Sequence, residues 1–462
     1  MTLTVLSDNQ VKSILEDLTV DELDEFRTVL SSALNEFSTN TQADLAGLYQ
    51  QPDRTSTYHA SAKTTTLYMP SCGPEGMGCK VVSLANTGAT ADGPSATPTG
   101  VVNLFSPDGQ PAALIQASTL TAFRTALASA CLVSRRRHVR TITVFGAGNQ
   151  AYWHVRLALM MRGKGILNVN IINHRFSDTA ALFMQRFVKV DKNVRQREGW
   201  DACKFNVLTP AFHDFDRLLT ENVLDADVIY CCTPSRIELF DGGILTSHEG
   251  RRRGRLIVAV GSFTPEMREL PEALLRQATK HHDRAHRHFH KHAEEGGVVV
   301  VDTLEGALKE SGEIIHAKIG PGQLVELGEL VMLHRLAIED SETNTIHSQT
   351  STSTSDSDKL DFGNTAMSSV FSSEADKPSR SSSPNRSPSS PKLSFSLPFR
   401  KASMHSPDLD KKKKEEDSLA RWLRDGTVVY KSVGLGLMDL VVGAHLVKVA
   451  TEKGVGTKVH DF

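Results

Sequence analysis

The sequence lacks an excess of charge of either sign, since 52 lysines and arginines stand against 54 aspartates and glutamates among 462 residues. This balance gives no electrostatic reason to expect nucleic acid or an acidic membrane as a partner. No uncharged apolar run reaches the roughly 18 residues of a membrane span. The longest such stretch near the C-terminus is interrupted by Asp439 and His445. The N-terminus shows no signal-peptide pattern, so we expect a cytoplasmic protein.

The six cysteines lack the C-x-x-C spacing of a zinc site, and without secretion they are expected to be reduced, buried thiols. Six histidines lie between His281 and His292, and their spacing allows transition-metal binding. No cysteine or carboxylate arrangement completes a site there, and lysines and arginines are interleaved. We interpret this segment as an exposed insertion with incidental metal affinity, and no metal site is predicted.

The most informative segment is TITVFGAGNQA, residues 141–151. A β-branched apolar run leads into Gly146, Gly148 and Ala151 at G-x-G-x-x-A spacing, before a predicted helix over 152–161. This order is typical of the strand, turn and helix start where a dinucleotide pyrophosphate binds. The two glycines would allow the turn and the close approach of phosphate, and the helix N-terminus would supply N–H donors. The alternative is an ordinary packed strand-to-helix turn.

The next predicted strand, 168–173, indicates which dinucleotide binds. In NAD sites this strand usually ends in an acidic residue that binds the ribose hydroxyls. Here it ends in Asn173, His174 and Arg175, and an arginine can pair with a 2′-phosphate. The pattern favours NADP(H), with NAD(H) as the alternative; Arg175 as a mere cap of a surface strand is the other interpretation.

The order of predicted elements indicates an α/β protein with two domains. The first 45 residues have helical periodicity, 54–116 indicate antiparallel strands, and 119–135 a long helix. Strand-like runs then alternate with helical stretches, which is typical of a parallel sheet. We predict a Rossmann-type dinucleotide domain over 126–316 and a second, α+β domain built from 1–125, 317–336 and 417–462.

Residues 337–416 differ in composition, being rich in Ser, Thr, Pro, Asp and Lys with few large apolar side chains. Such a segment cannot bury enough apolar surface to offset the entropy of ordering, so we predict a disordered insertion. It contains Ser-Pro pairs at Ser383, Ser387, Ser390 and Ser406, where phosphorylation is possible.

The chain contains several motifs that point to one family. In order, they are Tyr68-Met69-Pro70, Gly78 to Val82, Leu120 to Ala126, Gly146 to Ala151, Cys232-Thr233-Pro234, Val260 to Leu270, and Lys431 to Asp439. Together they resemble the ornithine cyclodeaminase/μ-crystallin family, and the resemblance covers nearly all of the chain outside 337–416. It implies a homodimer of subunits with a Rossmann domain and a substrate-binding and dimerisation domain, acting on small amino or imino carboxylates beside a nicotinamide.

Carried onto matching positions, the resemblance implies that Arg54 and Arg124 clamp the substrate carboxylate and that Lys80 is catalytic at the reacting nitrogen or carboxylate. A guanidinium holds a carboxylate by two parallel bonds, and a desolvated lysine can exchange a proton near neutral pH. The alternatives are a surface ion pair for Arg54, a polar strand face for Lys80 and a structural pair for Arg124. The implied cofactor residues are Thr125, Gly146, Ala147, Gly148, Asn149, Gln150, Ala151, Asn173, Arg175, Cys232, Thr233, Pro234 and Ser262.

Two departures from the family pattern bear on the reaction. Ornithine cyclodeaminases carry an Asp where this chain has Phe263 and an acid where it has Leu67. Carboxylates suit a substrate with a second amino group, whereas an apolar pair suits a cyclic imine. We therefore predict NAD(P)H-dependent reduction of a cyclic imino acid such as pyrroline-2-carboxylate. The alternatives are ornithine cyclodeaminase, an alanine-type dehydrogenase, or a nucleotide-bound regulatory protein.

Overall fold

The computed structural model of the protein describes residues 2–40, 48–85, 98–280, 296–331 and 419–461. The strands are β1 Thr2–Leu6, β2 Thr55–His59, β3 Thr64–Gly73, β4 Gly76–Ala85, β5 Thr99–Phe105, β6 Pro111–Gln116, β7 Thr141–Phe145, β8 Asn168–Ile172, β9 Lys204–Leu208, β10 Val228–Cys231, β11 Leu256–Ala259, β12 Val298–Val301, β13 Leu324–Glu326, β14 Val428–Lys431 and β15 Thr457–His460. The α-helices are α1 Asp8–Glu16, α2 Val20–Asn40, α3 Ala117–Val133, α4 Asn149–Arg162, α5 Asp178–Val188, α6 Lys192–Glu198, α7 Phe215–Asp225, α8 Gly242–Thr246, α9 Glu272–Ala278, α10 Leu304–Glu310, α11 Gly312–His316, α12 Leu327–Val331 and α13 Gly436–Glu452. Residues 419–425 are also helical.

The first sheet has seven strands in the order β15-β1-β6-β5-β4-β3-β2. Neighbours from β2 to β6 are antiparallel, as predicted for residues 54–116, whereas β1 runs parallel to β6. The prediction of helix throughout the first 45 residues was wrong at β1. Five residues are too few to show the alternating pattern of a strand. Strand formation at β1 depends instead on its pairing with β6 and β15.

The second sheet has eight parallel strands in the order β13-β12-β14-β11-β10-β7-β8-β9. The predicted α/β class with a Rossmann-type sheet is therefore confirmed. The chain runs outward from β7 in both directions, to β8 and β9 on one side and to β10 and β11 on the other. Such a switch point leaves a crevice at the carboxyl ends of the strands, where ligands bind in this architecture.

Two strands lie in a different sheet from the one predicted. β13 and β14 fall within 317–336 and 417–462, which were assigned to the second domain, yet both pair in the parallel sheet. β14 lies between β11 and β12, so a strand from the far end of the sequence completes the dinucleotide sheet. A four-residue apolar run carries no local signal that identifies the strand it will pair with. The place of β14 in the parallel sheet could therefore not be predicted from the sequence. The remaining domain boundaries stay predictions.

The helices that carry the predicted site are almost wholly buried. α3 packs on α4, with Phe123 and Trp153 in edge-to-face contact at 5.3 Å, and α13 packs on β3, β4 and β5. α4 begins at Asn149, three residues before the predicted start. A buried pair between Arg156 and Glu198, with N–O distances of 2.6 and 2.9 Å, ties α4 to the end of α6. These contacts hold the glycine turn in a fixed place.

Three further predictions concern composition. In the part of the chain that the structure describes, no helix is long and apolar enough to cross a membrane. The six cysteines form no disulfide, but only Cys131 and Cys231 are buried, so the expectation of buried thiols was wrong for the other four. The histidine segment 281–292 and the insertion 337–416 lie outside the described residues.

Candidate active site

The glycine turn after β7 has the geometry that a phosphate site requires. Gly146 has a φ of +96°, and its N–H donates to the Ile172 carbonyl at 2.9 Å. Gly148 is the N-cap of α4, and a Cβ placed on it would meet no atom within 4 Å. The first turn of α4 carries no acidic residue, so its positive end is unopposed. These residues fit a dinucleotide pyrophosphate in the space before the helix.

The other predicted cofactor residues lie at the same edge of the sheet, because parallel strands all end on one side. Cys232, Thr233 and Pro234 follow β10, and Ser262 follows β11. Asn173 and Arg175 follow β8, where the Asn173 side chain donates to the Arg175 carbonyl at 2.8 Å.

The remaining residues predicted to bind the cofactor differ in their surroundings. The Arg175 guanidinium is exposed and has no partner among the described side chains. Asn149, Gln150 and Ala151 form the first turn of α4, directly after Ala147 and Gly148. The Thr125 hydroxyl donates a hydrogen bond to the Thr121 carbonyl within α3.

A buried carboxylate joins the two loops that follow β10 and β11. Glu269 accepts hydrogen bonds from the backbone N–H groups of Thr233 at 2.7 Å, Gly261 at 2.7 Å and Ser262 at 3.1 Å. The loops approach so closely that a Cβ on Gly261 would lie 2.2 Å from the Thr233 carbonyl oxygen. Burial raises the pKa of Glu269 to about 7.

A second buried polar group holds the loop that follows β11. The Ser262 hydroxyl donates to Glu313, and Lys431 Nζ donates to the Ser262 carbonyl. Lys431 Nζ also lies 3.3 Å from Glu313 Oε2, and both side chains are fully enclosed. Since the Ser262 hydroxyl is engaged in this cluster, the side chain positions the loop rather than facing the cleft. The loop geometry at the carboxyl edge is therefore set by Glu269, Glu313 and Lys431.

Lys80, Arg124 and Asp439 form one buried ionic cluster. Lys80 Nζ lies 2.6 Å from Asp439 Oδ2, and Arg124 Nε lies 3.1 Å from Asp439 Oδ1. The three residues come from β4, α3 and α13, and no side chain among them is more than 3% exposed. Two cations share one carboxylate, so the cluster keeps a net positive charge that can receive an anion.

The surroundings of Lys80 shift its proton affinity. Burial and then the charge of Arg124 lower its pKa to about 8, while Asp439 opposes the shift and the more distant charge of Arg54 adds to it. The side chain therefore releases its proton far more readily than a lysine in water. A lysine with this pKa can act as a proton donor near neutral pH.

Arg54 reaches the same cleft from the segment before β2. Its Nε lies 2.5 Å from Glu310 Oε1, and Nη2 donates to the Phe263 carbonyl at 2.9 Å. Glu310 is on α10, beside the parallel sheet, so this contact joins the two sheets across the cleft. Burial raises the pKa of Glu310.

A cavity of about 300 Å³ opens beside these groups. Its lining includes Arg54, Glu310, Met69 and Gly434. Met69 is the register partner of Lys80, and a Cβ on Gly434 would lie 2.9 Å from a guanidinium nitrogen of Arg124. The cavity thus adjoins the ionic cluster and is large enough for a small carboxylate.

Known proteins are similar to this chain in sequence and in fold. The model of the ornithine cyclodeaminase/mu-crystallin family matches residues 10–202. The chain is 26% identical over 353 residues to a Delta(1)-pyrroline-2-carboxylate reductase of Bacillus cereus. This alignment covers 74% of this chain and 90% of the Bacillus protein. The chain is 24% identical over 356 residues to an uncharacterized protein of Saccharomyces cerevisiae, covering 73% and 89%.

A solved structure has the same fold. It is Thermococcus litoralis Delta(1)-pyrroline-2-carboxylate reductase in complex with NADH and L-proline, with a TM-score of 0.58 and 21% identity over 99% of this chain and 100% of that one. At this identity the likeness shows the fold alone. The resemblance to the ornithine cyclodeaminase/mu-crystallin family that the motifs predict is confirmed by the family model over residues 10–202.

The family motifs did not assign two carboxylates that the fold brings to the cleft. Asp439 carried a signal in the sequence, as an acid inside the otherwise apolar run of α13. Glu310 carried none, because its contact with Arg54 joins residues far apart in the chain. The prediction of an apolar site around Phe263 and Leu67 was therefore incomplete, since Glu310 lies next to the arginine that bonds the Phe263 carbonyl.

We expect Gly148→Ala to weaken the binding of a nicotinamide dinucleotide by at least about tenfold, which is roughly 1.4 kcal/mol, because the new methyl group would fill the space before α4. Its φ of −84° suits alanine, so the melting temperature should stay within about 2 °C. Isothermal titration calorimetry and thermal unfolding measure the two effects.

Gly146→Ala is the matched comparison. Its positive φ, and a Cβ only 3.0 Å from the Cys232 carbonyl oxygen, should destabilise the fold itself. Wild-type affinity of Gly148→Ala for the nicotinamide dinucleotide would rule out a pyrophosphate in front of α4.

Proposed function

We propose that this protein is an NADPH-dependent reductase of a small cyclic imino acid such as pyrroline-2-carboxylate. The observation that carries the proposal is the buried cluster of Lys80, Arg124 and Asp439 beside the crevice of a dinucleotide-binding sheet. It combines a carboxylate-binding cation with a lysine whose pKa is about 8. The relationship to Delta(1)-pyrroline-2-carboxylate reductase supports the same chemistry.

Arg54 and Arg124 would hold the substrate carboxylate. Arg124 borders the cavity at Gly434, and Arg54 lines the same cavity. In this structure Glu310 contacts the Arg54 guanidinium, so its carboxylate occupies a position that a substrate carboxylate would compete for. Two guanidinium groups would fix the angle of the carboxylate and hence the orientation of the ring attached to it.

Lys80 would keep a proton on the imine nitrogen, because an iminium carbon accepts hydride more readily than a neutral imine. When bound, the reduced nicotinamide supplies that hydride. Asp439 holds Lys80 in place and offsets the repulsion from Arg124. Glu269 and Glu313 hold the loops after β10 and β11, which border the crevice.

A nicotinamide dinucleotide would bind at the glycine turn, and the finer preference for NADP(H) rests on Arg175. Its exposed guanidinium follows β8, the strand whose end usually binds the adenosine ribose. A guanidinium suits a 2′-phosphate better than a free hydroxyl. NAD(H) is the alternative.

We also propose a cytoplasmic location, in keeping with the free cysteines.

Ornithine cyclodeaminase is the second candidate, and one contact favours it. Glu310 places a carboxylate in the cleft beside Phe263, where the family's own acid is missing. That carboxylate could bind a second amino group. Net oxidation of free NADPH separates the reductase from the cyclodeaminase, and amino-acid oxidation would indicate an alanine-type dehydrogenase.

We further propose a homodimer formed through the outer face of the first sheet. Tyr68, Val81 and Val101 are register partners on that face and stay partly exposed. Their neighbours on the opposite face, including Val102, are buried towards α13. A second copy packed on this apolar face would remove it from water.

The proposed reaction is tested by following NADPH oxidation with pyrroline-2-carboxylate, piperideine-2-carboxylate and ornithine as separate substrates. We expect turnover with a cyclic imine and at least a hundredfold loss in Lys80→Met, on the order of the effect of a general acid. Ammonia and proline formed from ornithine, without NADPH oxidation, would establish the cyclodeaminase instead. Tight NADPH binding without any turnover would indicate the regulatory protein.

We expect Arg175→Ala to raise KM for NADPH at least about tenfold while KM for NADH changes little, because the lost ion pair involves the 2′-phosphate alone. Initial-rate kinetics with both cofactors make the comparison. Arg197→Ala, at an exposed arginine of α6, is the control and should affect neither KM. Equal effects on both cofactors would exclude the 2′-phosphate role.

We expect Asp439→Asn to lower the pKa of Lys80 below about 8, because the amide removes the carboxylate that lies 2.6 Å from Nζ. If Lys80 donates the proton, the rate falls as pH rises through that pKa, so the alkaline limb should move to lower pH. The pH dependence of kcat/KM measures this shift.

Glu310→Gln makes the same carboxylate-to-amide change in the cleft but next to Arg54, and should leave the alkaline limb in place. An unmoved limb in Asp439→Asn would mean that another group donates the proton.

A further inference from the structure

Basic side chains gather at the amino ends of the parallel strands, on the edge of the sheet opposite to the glycine turn. Two arginine triplets more than a hundred residues apart, 135–137 and 251–253, meet there beside Arg424. We call this the arginine surface. Its exposed or partly exposed cations are Arg137, His138, Arg140, Arg162, Lys164, Arg252, Arg253 and Arg424.

The arginine surface is concave. Two adjoining hollows of about 590 and 410 Å³ share Arg137, His138 and Arg140 in their walls. Backbone contacts hold the rim together, since the Arg137 N–H donates to the Arg424 carbonyl at 3.1 Å. Arg162 donates to the Arg137 carbonyl at 3.0 Å. The cations are therefore displayed on an ordered frame.

The local carboxylates do not neutralise this charge. Asp225, Asp227 and Asp425 face seven arginine and lysine side chains. Asp227 Oδ2 is already bonded to two backbone N–H groups, and its other oxygen lies 3.7 Å from Arg253. Within the described ranges, the side chains of Arg140, Lys164 and Arg252 form no hydrogen bond or ion pair. The surface thus keeps an excess of positive charge that an extended anion would offset.

The proposed active site does not use this surface, which lies at the other edge of the sheet. The protein as a whole carries a net charge of −2, so the surface is a local feature and not part of a basic protein. Its occupant must therefore supply negative charge locally.

The chain itself contains a segment of the required charge. Residues 339–376 hold eight acidic residues and one lysine, whereas 377–414 hold ten basic and two acidic residues. The stretch from 332 to 418 re-enters the described structure at residue 419, in the helix 419–425 that leads to Arg424 and Asp425 on the arginine surface. We propose that residues 339–376 bind the arginine surface of their own chain.

Both partners of this contact belong to one chain, so the contact is intramolecular and does not depend on the protein concentration. The contact is electrostatic and must weaken as salt shortens the Debye length.

Zero-length carbodiimide coupling in the full-length protein tests the proposal, because it joins carboxylates to amines in direct contact. Lys164 is the amine on the arginine surface. We expect Lys164 to couple to acidic residues within 339–376 at low salt, and the coupling to be lost at roughly 1 M salt. Mixing isotopically labelled and unlabelled protein distinguishes coupling within one chain from coupling between chains.

Arg140→Glu/Arg252→Glu should reduce the coupling at least about tenfold, because it reverses two exposed charges of the surface. Lys189→Glu/Arg197→Glu makes the same charge change near α6, outside the surface, and should leave the coupling intact. Asp356→Asn/Asp358→Asn/Asp361→Asn alters the segment alone and should also reduce coupling, independently of any effect on the folded part.

Three results would overturn the proposal. Coupling of 339–376 to the lysines of 377–414 would show that the two halves pair with each other. Coupling between labelled and unlabelled chains would assign the contact to a second copy. Absence of coupling at Lys164, with a nucleic acid binding the surface in a salt-dependent manner, would assign a different class of partner.

Discussion

The site is organised by one carboxylate, Asp439, which two buried cations share. Lys80 on β4 and Arg124 on α3 would repel each other in a medium of low polarity, and the fold brings α13 between them. Removing one member of such a buried group costs about 3–5 kcal/mol, because it leaves a charge without compensation. Burial and the charge of Arg124 lower the pKa of Lys80, and the ion pair with Asp439 opposes this shift, so the pKa falls only to about 8.

A second buried group serves the opposite side of the crevice. Glu269 binds three backbone N–H groups in two loops, and Glu313 with Lys431 fixes Ser262 from below. The glycine turn, these loops and the ionic cluster are separate pieces of chain. They meet because parallel strands end at one edge and because β14 brings residues from beyond 419 into that edge.

The cleft is more acidic than its apolar residues indicate. Phe263 and Leu67 replace acids of the cyclodeaminases, yet Glu310 contacts Arg54 beside Phe263. If Arg54 binds substrate as proposed, the Glu310 carboxylate has two consequences: it competes with a substrate carboxylate, and it can bind a second amine. The choice between imine reduction and cyclodeamination therefore depends on this contact as much as on the two apolar positions.

Local pattern determined much of the protein. The run before Gly146 and the alternation of strands and helices were enough to predict the α/β fold. The family motifs indicated the resemblance and, through it, the candidate residues Lys80, Arg124 and Arg54, whose roles stay predictions. These signals are local because β-branched runs, glycine turns and helical periodicity act within a few residues. Tertiary structure alone decided the sheet of β13 and β14, the strand β1, and the contacts of Asp439, Glu310 and Glu269. Each of these depends on pairing between residues far apart in the chain, and a short apolar strand or a single buried acid carries no local record of its partner.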